Sequence, residues 1–231
     1  MNEPLPQENI GDEAHRGVRA VLSTIPFVGG VAVEYFNRLF TPPLQRRRDA
    51  WLKALAERLS KLEQEGRVKV EDLQNNEEFI STVMQASQVA VRNHQQEKLD
   101  ALRNAIMNTA IGHAPEDSKR ETFLAFVDVL SVWHLRLLSF LIDPVAWFKA
   151  NGKSVPSYGT TSSLLGVIQL AMPELASQGD FLDLVVSDLT QRKLIAGGGI
   201  MTMMSADGWK ATRTTSLGDE FARFISCGEL V

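Results

Sequence analysis

The chain has 231 residues, of which 44% are apolar, enough for one large or two small globular domains. Its formal net charge of -4 argues against a protein held on nucleic acid by bulk positive charge. The single cysteine, Cys227, excludes an intramolecular disulfide and a cysteine-rich zinc site, and it fits a reducing cytosol. Because residues 1–13 are polar and acidic, we expect no secretory signal and a cytoplasmic protein.

The N-terminal 43 residues divide into a polar arm and an apolar element. Residues 1–11, with two prolines and two glutamates, are predicted to be a disordered arm. Within residues 12–43 an uncharged run follows, and Pro26 with the pair Gly29-Gly30 interrupts it. We therefore predict a kinked helix or a helical hairpin, which Pro42-Pro43 ends.

This apolar element is a candidate contact for a membrane or a partner helix. Its uncharged run is too short to span a bilayer as one helix. Arginines flank it, and a polybasic cluster beside an amphipathic apolar segment favours attachment to an anionic lipid surface. The alternative is that the element packs against the following helices and the arginines are solvated. The candidate contact residues are Ile25, Pro26, Phe27, Val28, Gly29, Gly30, Phe36, Phe40, Arg46, Arg47 and Arg48.

Residues 44–117 are predicted to form a helical domain. A helix over residues 44–65 carries a narrow apolar stripe, so it is expected to pack on one neighbour. The stripe consists of Trp51, Leu52, Leu55, Leu59 and Leu62. Helical spacing of apolar residues resumes at Glu77 and continues to Ala110, and the wholly polar run at residues 92–98 predicts a break or bend near His94.

Residues 118–231 contain the three helices that a winged helix requires. Apolar residues recur at helical spacing over residues 133–142, over residues 162–172, and again after Asp180, which is placed as an N-cap. Prolines at positions 144 and 173 are expected to stop the first two of these helices. A third helix is expected to end near Arg192.

The C-terminal part supplies the wing of this module. Residues 200–204 and residues 210–215 flank the tight-turn pair Asp207-Gly208 and predict a short β-hairpin. Ser216 and Asp219 then form a variant capping box ahead of a last helix. The predicted fold class is therefore mainly α, a helical N-terminal bundle followed by a winged-helix-like C-terminal module with a short β-hairpin.

A winged helix normally places its third helix in the DNA major groove. Here that helix carries Asp180 and Asp183 at its N-terminal end and Asp188 further along, and these carboxylates would face phosphates. The candidate DNA or partner contacts are Arg192, Lys193, Lys210 and Arg213. Contact with protein is therefore expected over contact with nucleic acid, and a DNA-binding transcription regulator is the alternative.

No pattern in the sequence predicts catalysis, a metal or a cofactor. The four histidines include no pair at the i, i+4 spacing that lets two imidazoles share a metal. Among them, His134 is expected to be a half-buried packing residue. The glycines at 197–199 lack the strand and the lysine that a phosphate-binding loop needs. We therefore expect a non-enzymatic protein.

The order of parts resembles the Abi-alpha family of bacterial abortive-infection proteins. The resemblance lies in the apolar N-terminal segment, in Glu-Lys-Leu-Asp-Ala-Leu-Arg-Asn-Ala at residues 97–105, in a short acidic loop, and in Thr-Ser-Leu-Gly-Asp-Glu-Phe at residues 215–221. A separate uncharacterised bacterial family of the same layout is the alternative. The resemblance implies a role in defence against phage, with no catalytic residues to carry over.

Three functional hypotheses follow from these features. The first is a phage-defence protein acting through contacts with a protein partner, or with the inner membrane as a peripheral protein. The second is the winged-helix transcription regulator. The third is a structural protein whose apolar arm is buried in a homo-oligomer.

Overall fold

The computed structural model describes residues 30–197 and 203–227, with side chains from residue 37 onward, and it is mainly helical. The chain divides into two compact units, residues 1–53 and residues 54–231. The helices are α1 (Gly30–Gln64), α2 (Val70–Leu73), α3 (Glu77–Arg92), α4 (Gln96–Ala110), α5 (Asp117–Val129), α6 (Val132–Ile142), α7 (Pro144–Ala150), α8 (Leu164–Ala171), α9 (Pro173–Ala176), α10 (Gly179–Gln191) and α11 (Ser216–Ile225). The strands are β1 (Thr161–Ser163) and β2 (Met203–Ser205), and Gly208–Lys210 is a 3-10 turn.

Helix α1 runs through both prolines that were expected to end it. It spans 35 residues and contains Pro42 and Pro43, so the boundary predicted at residues 43 and 44 lies inside a helix. The two prolines remove two backbone donors, but the arginine, leucine, lysine and glutamate residues that follow are strong helix formers and extend it to Gln64. The predicted arm at residues 1–11 and the kink at residues 25–29 lie outside the described residues.

The break predicted near His94 is confirmed. Helix α3 ends at Arg92 and α4 begins at Gln96, and the side-chain amide of Asn93 donates to the Val89 carbonyl at 2.8 Å to close the end of α3. The two helices then pack on each other and on α5. Of the stripe predicted on α1, Leu55 and Leu62 are buried whereas Leu52 is exposed.

The last helix, α11, belongs to the same core as α4 and α5. Phe221 on α11 packs on Phe123 of α5 with ring centroids 5.2 Å apart. The side-chain amide of Asn108 on α4 donates to the carbonyls of Phe224 at 2.7 Å and Ser226 at 3.0 Å, so it closes the end of α11. The parts predicted as separate domains on either side of residue 117 therefore share one compact unit, apart from residues 44–53.

The small sheet is not the local hairpin that was predicted. Strand β2 pairs antiparallel with β1, which lies before α8 in the chain, and Ser162 stands opposite Met204. Residues 210–215 form no strand, and only Thr214 makes a bridge, to Ile195. Asp207-Gly208 leads into the 3-10 turn because Trp209 is fully buried there and packs on Phe148, with ring centroids 6.0 Å apart.

Several helix ends differ from the predicted ends by a residue or two. Pro144 and Pro173 do stop α6 and α8, yet each also begins the next helix, where its missing N–H has no intrahelical partner to lose. Helix α10 begins at Gly179, so Asp180 lies in its first turn and is not the N-cap. In α11 the N-cap is Thr215, whose hydroxyl accepts from the Gly218 N–H at 3.0 Å.

Candidate partner-binding surface

Helix α10 has one buried and one exposed face. Its buried face consists of Leu182, Val185 and Leu189, and α10 packs on α6 and α9. The opposite face is exposed at Asp180, Leu184, Ser187 and Gln191, and Asp183 is exposed beside them. These positions follow the i, i+4, i+7, i+11 spacing of a single helical stripe. We call these five exposed residues the α10 face.

The five residues of the α10 face carry charge of one sign, that of Asp180 and Asp183. No lysine, arginine or histidine occurs between Lys153 and Arg192. In the described part of the chain, Glu174 on α9 and Asp180 and Asp183 on α10 are exposed and take part in no ion pair. Leu184 lies one helical turn after Asp180 and directly after Asp183, with 52% of its surface exposed. The surface is therefore acidic with an apolar centre.

The remaining acid of α10, Asp188, faces a buried histidine. His134 is 5% exposed, and its Nε2 lies 3.3 Å from the Asp188 carboxylate. Its Nδ1 accepts the backbone N–H of Ser131 at 3.1 Å and lies 2.7 Å from the Ser131 hydroxyl. Because Nδ1 is an acceptor, the proton of the neutral ring is on Nε2, which lies beside the Asp188 carboxylate without an aligned hydrogen bond. This contact joins α10 to the start of α6.

Burial lowers the pKa of His134, and the Asp188 carboxylate opposes that shift. His134 was expected to be a half-buried packing residue, and it is instead buried in a polar network. Its sequence signal is its place three residues after Ser131, which is the capping-box position at a helix start. Nothing in the sequence pairs it with Asp188, because that contact is between distant helices.

Ser131, His134 and Asp188 are residue types that occur in serine hydrolases, but their geometry is that of a helix cap. The single lone pair of Nδ1 already accepts a backbone N–H, so it is not free to take the serine proton. The hydroxyl of Ser131 is itself part of the capping box of α6. The three residues therefore stabilise the α6 start and orient α10.

Lys98 on α4 is the second buried polar group of this region. It is 5% exposed, and its Nζ donates to the Asp128 carbonyl at 2.7 Å. Burial lowers the pKa of Lys98, and the nearby Asp128 carboxylate partly offsets the effect. That carboxylate also pairs with Arg92 at 3.0 Å. Sequence reasoning missed Lys98, because its position in a polar run gave no sign of burial.

Three of the four cations considered for DNA contact have partners within the module. The Arg192 guanidinium lies over the Phe126 ring at 5.2 Å. Lys210 pairs with Asp207, and Arg213 donates to the Gly208 carbonyl at 3.2 Å. Lys193 is exposed, with a left-handed φ of 60° at the end of α10. Arg192, Lys210 and Arg213 thus make contacts within the protein.

The membrane or partner residues predicted near the N-terminus are described only in part. Leu39 and Phe40 are about half exposed on α1, at 49% and 50%. Arg46 donates to the Pro42 carbonyl at 3.3 Å, Arg47 is exposed, and Arg48 lies 4.0 Å from Asp49. Ile25, Pro26, Phe27, Val28 and Gly29 lie outside the described residues, as does the side chain of Phe36, and Gly30 is the first residue of α1.

Two open clefts occur in the second unit. One, of about 440 Å³, is lined by Tyr158, Thr161, Ser162, Ser163, Leu165 and Met203 along strand β1. The other, of about 490 Å³, is lined by residues of the turns after α1 and α4 and of α2 and the start of α3, among them Arg67, Asp72 and Glu78. In the described ranges no group of three or more His, Cys, Asp or Glu side chains is arranged to hold a metal ion.

No single described helix is long and apolar enough to cross a membrane. Helices α5 and α6 meet the length and composition criteria only as a pair, bent by 119° at the break between them. Comparison of the chain with protein-family models, with curated proteins and with solved structures gives no match.

Proposed function

We propose that this chain is a non-enzymatic protein of the phage-defence type, and that a winged-helix-like C-terminal module acts through contacts with protein. One observation carries the proposal. The helix that would enter DNA in a winged helix exposes two aspartates and a leucine, while three of the four candidate DNA contacts, Arg192, Lys210 and Arg213, are held in internal contacts. Such a surface repels phosphates and suits a protein surface of opposite charge.

The order of elements supports the winged-helix part of the proposal. Strand β1 precedes α8, α9 and α10, and the chain then returns so that β2 pairs with β1. Residues after α10 also meet the segment before α11, through the bridge between Ile195 and Thr214. This order of helices, with a later strand that returns to pair with β1, supports the proposal of a winged-helix-like module with an irregular wing.

The phage-defence part of the proposal is supported by the resemblance to the Abi-alpha family. The two motifs that carry the resemblance, residues 97–105 and residues 215–221, belong to α4 and α11, which pack on each other. The Asn104 side chain in the first motif donates to the Ile225 carbonyl at 3.0 Å. The two motifs thus belong to one helix–helix contact.

Phage challenge tests this proposal directly. Bacteria expressing the full chain are plated with a panel of phages, beside an empty-vector strain and a strain expressing R192E/K193E. We expect fewer plaques with the wild-type chain and with R192E/K193E, because those cations are not needed to contact protein. Unchanged plating of every phage contradicts the defence role. A wild-type chain that shifts duplex DNA at low salt, with R192E/K193E losing both the shift and protection, favours the regulator instead.

Peripheral membrane contact is a second candidate function, favoured by the exposed Leu39 and Phe40 on a helix that carries Arg46 and Arg47 one to two turns later. We expect the full chain to sediment with anionic vesicles at low salt and L39S/F40S to do so less. The matched control is I80S/M84S, which removes two exposed apolar residues from α3. Equal sedimentation of all three proteins counts against membrane contact through α1.

A further inference from the structure

We propose that the α10 face binds a cationic, amphipathic segment of a partner protein, with Leu184 at the centre of the contact. This inference rests on the proposed function, contact with protein through the C-terminal module, and names the chemistry of the partner. The occupant is one in which lysine or arginine residues flank apolar side chains.

Among the described residues, α10 is held from the side opposite to the α10 face. Leu182, Val185 and Leu189 are buried, and the Asp188 carboxylate faces His134 on α6. These contacts fix the rotation of α10 about its axis, so Asp180 and Leu184 are directed to solvent. A preorganised helix face loses little conformational freedom when a partner binds.

The charge of the face selects a cationic occupant. Asp180 and Asp183 form no ion pair among the described residues, and no cation occurs in the sequence between Lys153 and Arg192. The positive end of the α10 dipole is equivalent to roughly half a charge, so it does not cancel two carboxylates. An anionic partner would be repelled, whereas lysine or arginine residues would replace the missing internal cations.

The apolar part of the occupant is matched to Leu184. This side chain is 52% exposed and is the apolar member of an otherwise polar helix face. It lies one helical turn after Asp180 and beside Asp183, so an apolar side chain that covers it brings neighbouring cations close to both carboxylates. Interfaces commonly combine such an apolar anchor with a charged rim.

The test uses the full chain and a synthetic amphipathic peptide of lysine and leucine as the probe, with a glutamate and leucine peptide for comparison. We measure binding by fluorescence anisotropy at low salt and at physiological salt. We expect the lysine peptide alone to bind, and D180N/D183N to weaken its binding about fivefold, since exposed charge contacts are individually weak. L184S is expected to weaken it by a similar factor.

The matched control is E71Q/E121Q, which removes two exposed carboxylates from α2 and α5 that form no ion pair in the described structure. Its affinity for the lysine peptide is expected to stay within about twofold of wild type, since screening limits the effect of distant charges. Equal weakening in both double variants overturns the proposal, as does failure of the wild-type chain to bind the lysine peptide. Circular dichroism establishes that each variant is folded.

The phage assay separates this inference from the proposed function. One outcome would overturn the inference and leave the defence role standing. In it, the wild-type chain and D180N/D183N protect equally against phage, and E71Q/E121Q binds the lysine peptide no better than D180N/D183N does. If D180N/D183N and L184S lose protection while E71Q/E121Q keeps it, the inference is supported. A wild-type chain that binds the peptide but protects against no phage overturns only the proposed function.

Discussion

The carbonyl of Leu194 lies against Gly218, at the start of α11, where a methyl group at position 218 would overlap its oxygen. The same carbonyl accepts the Thr215 N–H at 3.1 Å, and the Thr215 hydroxyl donates to the Lys193 carbonyl. The end of α10 and the start of α11 therefore meet backbone to backbone. Glycine is required at position 218 because the Leu194 backbone leaves no room for a Cβ atom. Its backbone angle is not the reason, since the φ of Gly218 lies outside the left-handed region.

Substitution G218A is expected to lower the free energy of unfolding by about 3 kcal/mol, since the backbone of Leu194 must move to admit the methyl group. Urea denaturation followed by circular dichroism measures the change. The control is G179A, because no atom lies within 4 Å of a Cβ at that position in α10. Alanine there is expected to be neutral or to stabilise by up to about 1 kcal/mol. Equal loss in both variants argues against the close contact.

Replacement of Asn108 is expected to loosen the end of α11 from α4. The two N–H groups of its side-chain amide are shared among three carbonyls, those of Arg223, Phe224 and Ser226. N108A leaves these groups without that donor and is expected to cost about 2 kcal/mol of the free energy of unfolding. Faster amide hydrogen exchange in α11 reports the local loosening.

The control for N108A is N151A, which removes an exposed bond to Trp147 within one helix end. We expect this variant to cost less than about 1 kcal/mol, because water can replace an exposed partner. A cost for N108A no greater than that for N151A indicates that α11 is held by its phenylalanines alone.

The free energy of unfolding is expected to decrease at acidic pH, because His134 must be protonated there. Its pKa is lowered from 6.5 in the folded protein, so the unfolded chain binds the proton more readily. The contribution is therefore fully present above pH 6.5 and is lost as the pH falls through the lower folded pKa. H134Q is expected to flatten this part of the curve of unfolding free energy against pH.

Substitution D188N tests whether the Asp188 carboxylate raises the pKa of His134. Because Asp188 raises the pKa of His134 against the effect of burial, its removal is expected to lower that pKa further. Titration of the imidazole by NMR gives the value directly in both proteins. A higher pKa for His134 in D188N contradicts the pairing across α6 and α10.

The helical spacing of apolar residues predicted most of the long helices, whereas nothing in the sequence predicted the contacts between distant segments. The α3 to α4 break at His94 was predictable because a wholly polar run cannot supply a buried face. The pairing of β1 with β2 was not, since three-residue strands carry little pattern and their partner is set by packing around Trp209. Asp180 and Asp183 could be recognised as an acidic face from the sequence. The contact of His134 with Asp188, which fixes that face, required the structure.

Lys98 separates the effect of a buried charge from that of packing. Its ammonium is buried and donates one hydrogen bond, to the Asp128 carbonyl. A substitution that removes the ammonium loses this hydrogen bond, but it also removes the free-energy cost of taking a charge out of water, and the two effects offset each other. We expect K98M, which retains the length of the side chain, to unfold within about 1 kcal/mol of wild type. K98A leaves a cavity and is expected to cost about 2 to 3 kcal/mol. Thermal and urea denaturation of the two variants distinguish the effects, and a loss in K98M as large as that in K98A means that the ammonium itself stabilises the α4 to α5 contact.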